Sequence, residues 1–333
     1  MMKMKKLYVI AFVMLICCLP CYSQIHIIDE SDNSAVAYAQ LVSDSGAFIG
    51  STDSLGRYAG DVPQSFSVQH VGYATKRFMR ADIKDGRIYL CPANIQMDNV
   101  TVTAKKKEYI RLKGYFRAFQ LCDSILKYYT DGIGEYYVSL KKRAVELNVL
   151  GSRYLKNDSL MQLDRKSLNK SDYTISYPVL DGVTLFGKSG KENHIMVRTD
   201  SVHSTKRVEA DWLAGKGQKS HTLFGYTSTL VNSYTTEVYR MQPDFQSFMD
   251  LMYRKDYRRL YYKHKKDEKP KMLDLVYEIY VTEAEYVSKD QVKGLKKENL
   301  NVSSEDIPLF RDNYHIPKLS HVMETMISKM GRF

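Results

Sequence analysis

The feature that most restricts this chain is a thirteen-residue run, Tyr109–Leu121, in which side-chain character alternates. Ile110, Leu112, Gly114, Phe116 and Ala118 fall on one side, and Tyr109, Arg111, Lys113, Tyr115 and Arg117 on the other. A period of two sends successive side chains to opposite faces of a strand and does not make a helix stripe. The segment is therefore predicted as β-strand. Its second face is basic and aromatic rather than simply polar, so Arg111, Tyr115 and Arg117 are the candidate binding face for an anionic lipid, another amphiphile or an acidic partner.

Strand-like runs recur along the chain, which is rich in tyrosine. Ile125–Tyr129 and Glu135–Leu140 read as a hairpin turning at Asp131-Gly132. Tyr173–Val179, Val183–Phe186, His194–Arg198, Thr229–Tyr239 and Leu273–Val281 follow. Two helices are predicted. The first starts at Pro243-Asp244 and runs to Lys263, with Phe245, Phe248, Met249, Met252, Tyr253, Tyr257 and Leu260 at helical spacing and a basic opposite side. The second is Leu319–Met330, after Pro317. The expected class is mainly β, with a larger antiparallel, half-barrel-like domain over residues 108–333 covered by one or two helices. In outline this resembles Gram-negative lipoprotein carriers, a comparison of pattern and not of motif.

The N-terminus has the three parts of a secretory signal peptide. Lys3, Lys5 and Lys6 make a positive start, Leu7–Leu19 is apolar, and Pro20 breaks the run. Cys21-Tyr22-Ser23 then offers small residues for cleavage between Ser23 and Gln24. The apolar run is short for a span, which needs roughly 20 residues. Competing readings are an uncleaved anchor and lipidation of a cysteine among Cys17, Cys18 and Cys21. No later segment is long and apolar enough for a membrane helix. The expected location is the periplasm or the periplasmic face of the outer membrane. Export permits a disulfide between Cys91 and Cys122, and two free thiols fit the sequence equally.

Residues 24–333 suggest two domains. Residues 24–104 are short alternating runs separated by turn signals, the pattern of a small β-sandwich. Four ordered elements carry a family resemblance. They are Ala37–Val42, then Thr52-Asp53-Ser54-Leu55-Gly56-Arg57-Tyr58, then Val71-Gly72-Tyr73, and finally Met97–Ala104. In these the segment resembles the carboxypeptidase-regulatory-like domain, a transthyretin-like sandwich of Gram-negative envelope proteins. Two positions depart from that pattern: a glycine near the first strand is absent, and Val36 stands where a proline is usual. The resemblance implies fold and envelope location, with Asp53, Gly56, Tyr58, Gly72 and Tyr73 in structural roles, and implies no catalysis. Lys105-Lys106-Lys107 reads as a linker.

Charge is unevenly shared. The total is +11, of which residues 24–105, with seven basic and nine acidic side chains, hold −2. Residues 106–333 carry about +10. Export argues against nucleic acid as the reason for that charge and favours anionic headgroups or an acidic partner.

Motifs for chemistry are sparse. Gly182–Ser189 fits the phosphate-loop expression G-x-x-x-x-G-K-S, but its run Val183–Phe186 reads as strand where the motif needs a loop before a helix. The echo between Thr184–Gly187 and Thr222–Gly225 suggests two related hairpins. The eight histidines are scattered, and no HExxH, GxSxG or mature CxxC is present. Asp-Ser-apolar tripeptides at 53, 123, 158 and 200 resemble an O-glycosylation signal and equally suit turns. No catalytic residue, metal ligand or cofactor is predicted. The expected function is a non-enzymatic exported envelope protein that binds a partner or amphiphile. A periplasmic hydrolase with a site in residues 108–333, and a component of an outer-membrane transporter assembly, are the alternatives.

Overall fold

The computed structural model describes residues 24–44, 48–70, 73–93, 107–160, 174–189, 194–201, 203–243, 245, 248–297 and 302–332. Seven short strands come first: β1 (Ile25–Asp29), β2 (Gln40–Ser43), β3 (Phe48–Ser51), β4 (Arg57–Tyr58), β5 (Ser65–Gln69), β6 (Lys76–Met79) and β7 (Arg87–Leu90). They form two sheets, β4-β1-β7 and β3-β2-β5-β6, with β1 and β7 parallel. Ile27, Val36, Leu41, Phe66, Val68, Tyr73, Ile88 and Leu90 close the space between them.

The rest is one ten-stranded sheet. Its strands are β8 (Tyr109–Cys122), β9 (Ile125–Ser139), β10 (Val145–Lys156), β11 (Ile195–Asp200), β12 (Thr205–Asp211), β13 (Lys219–Leu223), β14 (Tyr226–Arg240), β15 (Leu251–His264), β16 (Lys271–Val287) and β17 (Gly331–Arg332). The order is β11-β12-β14-β15-β16-β8-β9-β10-β17, with β13 beside β14, and every pairing is antiparallel. Helices α1 (Leu185–Lys188), α2 (Lys289–Lys297), α3 (Asp306–Asn313) and α4 (His321–Ser328) are short. The chain is thus mainly β, as its alternation predicts.

Both faces of the large sheet are covered. Ile110, Leu112 and Phe116 of β8 pack with Leu180, Leu185 of α1, Val208 and Tyr239. On the other face Phe119 and Leu121 pack with Phe48 of the sandwich, Tyr257, and Leu319, Met323 and Ile327 around α4. A strand buried on both sides loses the clean apolar–polar alternation.

That loss explains the largest correction. The helix expected over residues 243–263 is absent where residues are described, and Leu251–His264 is strand β15. Leu251, Tyr253, Arg254, Lys255, Tyr257 and Leu260 are all buried, on alternate faces, and their combined pattern imitates helical spacing. The hairpin expected at Asp131-Gly132 is also absent. Strand β9 runs unbroken through it, because Asp131 is a buried ion-paired carboxylate and not a turn residue. The chain turns at Asp123-Ser124 instead, where both residues have positive φ, the geometry of a two-residue hairpin loop.

Val183–Phe186 is not a strand: Thr184 caps α1, its Oγ1 accepting from Gly187 N at 3.1 Å. The described residues 174–179 form no strand either. The Thr-Leu-Phe-Gly echo has no structural counterpart, since one copy opens a helix and the other turns the β13–β14 hairpin. The predicted C-terminal helix is present as α4. Cys91 and Cys122 are not joined in a disulfide. Ser23, Gly72, the linker lysines Lys105 and Lys106, and the closing element Met97–Ala104 lie outside the described residues.

Candidate binding cleft

The sandwich positions expected to be structural brace one turn and one buried contact. Asp53 Oδ1 accepts from the amides of Leu55 and Arg57, both at 2.8 Å. Gly56 has φ +70°, and a Cβ there would press on the Ile27 carbonyl, so only glycine fits. The Tyr58 hydroxyl donates toward Ile49 O and Asp61 O at 3.4 Å. Tyr73 is fully buried and donates to Asp29 Oδ2 at 2.5 Å, and Arg207 lies 4.7 Å over its ring.

Arg207 belongs to β12, so that last contact joins the two halves of the molecule. The join is aromatic and polar. Tyr38 stacks on Tyr234 at 4.0 Å, and Arg259 sits 4.1 Å over Phe48. Arg198 donates to the carbonyls of Ala35 and Ser54 at 2.7 and 2.9 Å. Lys255 Nζ donates to Gln40 Oε1 at 3.3 Å.

Of the predicted binding face only Arg117 reaches this join, beside Gln40, Gln69 and Thr75, while Tyr115 packs with Ile307 and Ile316. Arg111, Tyr115 and Arg117 do share one face of β8, but that face is not open. Tyr115 is fully buried, its hydroxyl donating to Asp131 Oδ2 at 3.0 Å beside Tyr129. Arg117 is 4% exposed. Its Nε pairs with Glu278, and its amino groups donate to Pro317 O at 2.7 Å and Tyr280 Oη at 3.0 Å. Arg111 pairs with Glu135 at 2.5 Å and with Glu285. These side chains are spent on internal partners and offer no surface to a lipid. Breaking such a buried pair from one side costs about 3–5 kcal/mol.

The pair also sets the local electrostatics. Burial alone would raise the Glu278 carboxyl, but Arg117 and Lys255 overcome it and hold it below the usual range. Burial pushes the Lys255 ammonium down to about 8, with Glu278 opposing and Arg117 adding to the fall.

Directly above Arg117, the chain segment that accepts its hydrogen bond forms one wall of an open cleft of about 770 Å³. The segment is the α3–α4 connector, residues 315–320, and the opposite wall is the sandwich. Thr75 Oγ1 donates to Lys318 O at 3.2 Å across its edge. Ala74, Pro92, Ala93, Pro317 and Leu319 supply apolar surface. The titratable groups among the described lining residues are all basic: Arg77, His315, Lys318 and His321. His315 has φ +52°, an uncommon conformation for a residue with a Cβ. None of these residues was singled out from the sequence as a site. The one available signal is the stretch His315-Ile316-Pro317-Lys318-Leu319-Ser320-His321, which concentrates basic groups between two helices.

A second cleft of about 380 Å³ lies on the other face of the sheet, beneath Val179 and Asp181. Trp212, Leu230 and Leu260 line it with Arg254, Asp256 and Arg258. Its two carboxylates are occupied: Asp256 pairs with Arg254 at 2.9 Å and Asp181 with Arg254 at 3.4 Å. Lys188, the lysine of the phosphate-loop match, also pairs with Asp181 and ends a four-residue helix, so no phosphate cradle forms.

Among the described residues, no group of His, Cys, Asp and Glu is placed to hold a metal ion, and no helix is long and apolar enough to cross a membrane. No protein-family model and no curated protein matches the chain.

Proposed function

We propose that this is an exported, non-enzymatic envelope protein that holds an anionic amphiphile in the cleft between its sandwich and its large sheet. The observation that carries the reading is the cleft itself. Its volume is in the range of small-ligand sites, and it lies at the junction of two packed units, where such sites are common. Apolar walls with basic titratable groups suit an acyl chain bearing an acidic head, which would compete with Asp44 for Arg77 and with Asp312 for Lys318. The signal-like N-terminus supports export. The resemblance of residues 24–104 to the carboxypeptidase-regulatory-like domain supports an accessory sandwich and an envelope location. The hydrolase alternative is less favoured, because the acids of the smaller cleft are tied to Arg254 and leave no free base there.

Titration with a dansyl-labelled fatty acid tests this. Saturable, blue-shifted emission is expected, and the double change Lys318→Glu and His321→Glu is expected to weaken it at least about tenfold, equivalent to ~1.4 kcal/mol. Equal binding by the folded variant would remove the cleft from the account.

A further inference from the structure

At one end of the large sheet three hairpin tips lie together. The β13–β14 tip is Phe224-Gly225, and the Lys265 amide of the β15–β16 tip donates to Gly225 O at 2.8 Å. The β8–β9 tip joins them through Asp123, whose amide donates to Met272 O and whose Oδ1 accepts from Met272 N, at 2.8 and 2.9 Å.

Large apolar side chains crown this end. Phe224 is 88% exposed and Leu223 55%, and Ile125 of the neighbouring tip is 45% exposed. A hairpin turn favours Gly, Asn or Asp, yet a phenylalanine occupies the position at φ +50°, which a bulky residue seldom adopts. Local strain held in place to present an aromatic ring points to use of the ring. Around it, residues 263–271 hold five lysines against one aspartate and one glutamate. Asp267 is engaged with the His264 amide at 2.8 Å. An apolar point ringed by lysines matches the chemistry of an anionic bilayer surface, where the ring enters the interface and the ammonium groups meet headgroups.

We propose that this end of the sheet is a membrane-docking tip, with Phe224 and Leu223 as the wedge and Lys265, Lys266 and Lys269 as the headgroup contacts. The tip shares no residue with the cleft lining, so docking and ligand binding are separable. A carrier or binding protein that takes an amphiphile would thereby be held where amphiphiles are supplied, and this step alone rests on the proposed function.

Flotation of the whole exported protein with phosphatidylcholine vesicles, with and without phosphatidylglycerol, tests the tip. The wild type is expected to float with the anionic vesicles, less so as salt is raised. Phe224→Asp, and separately Lys265→Glu with Lys266→Glu and Lys269→Glu, are each expected to lower the partition at least about tenfold. Both alter exposed loop positions, and an unchanged thermal midpoint establishes that the fold survives. Ala74→Trp, which fills the cleft, is expected to float like the wild type even if it loses ligand. Binding by the tip variants equal to wild type would overturn the proposal. So would a wild type that ignores anionic vesicles but forms a dimer that Phe224→Asp dissolves, since the tip would then join two copies of the chain.

Discussion

Lys255 shows what one buried charge does to the energetics of the join. Its neighbours are Glu278 and Gln40 on one side and the Arg117 guanidinium on the other, and burial lowers its ammonium to about 8. An unfolded lysine titrates near 10.4. Between those two values the unfolded chain binds a proton that the folded chain has released, so this group makes stability rise with pH across the window. Urea unfolding followed by the single tryptophan, Trp212, should find the protein about 1 kcal/mol more stable at pH 9 than at pH 7 from this source. Lys255→Met should abolish that difference, and a variant that keeps the same rise would assign it to another group. Above about pH 10 the trend reverses. Burial raises the phenols of Tyr115, Tyr253 and Tyr257 well above their ordinary value, so they ionise first in the unfolded chain and stability is lost.

At the scale of the element, β8 and β16 show how closely two strands are fitted. Gly114 faces Val281 beside a bulge in β16, and a Cβ on it would fall against the Tyr280 carbonyl. Gly114→Ala should therefore lower stability by about 1–3 kcal/mol, seen as a lower urea midpoint with the slope unchanged. A neutral result would mean that the strands are spaced more widely than the hydrogen-bonded register requires. Strand β8 was legible in the sequence because apolar side chains alternate with basic and aromatic ones from Tyr109 to Ala118. Strand β15 was not, because Arg254 and Lys255 are buried on opposite faces and the alternation is hidden. Strand β9 was misread for a related reason. Asp131-Gly132 looks like a turn, yet Arg153, Tyr115 and Tyr129 surround the carboxylate and keep it in mid-strand. The binding face on β8 was misplaced because alternation assigns a side chain to a face but does not say what covers that face. The cleft was invisible because its walls lie more than two hundred residues apart in the chain, at 67–93 and 315–321.

For the whole molecule, the sandwich is not an appended bead. Tyr38, Phe48 and Tyr73 contact β14, β15 and β12 through stacked rings and a cation–π contact, Gln40 accepts a hydrogen bond from Lys255 of β15, and this seam positions both walls of the cleft. A ligand in the cleft would bridge sandwich and sheet, and would stabilise their union by mass action. The most direct test is native mass spectrometry of the protein gently extracted from the cells that make it, compared with Ala74→Trp prepared identically. A lipid-sized adduct on the wild type that is missing from the folded variant is the predicted result. A bare wild-type mass, or an adduct retained equally by Ala74→Trp, would contradict the assignment of ligand binding to the cleft.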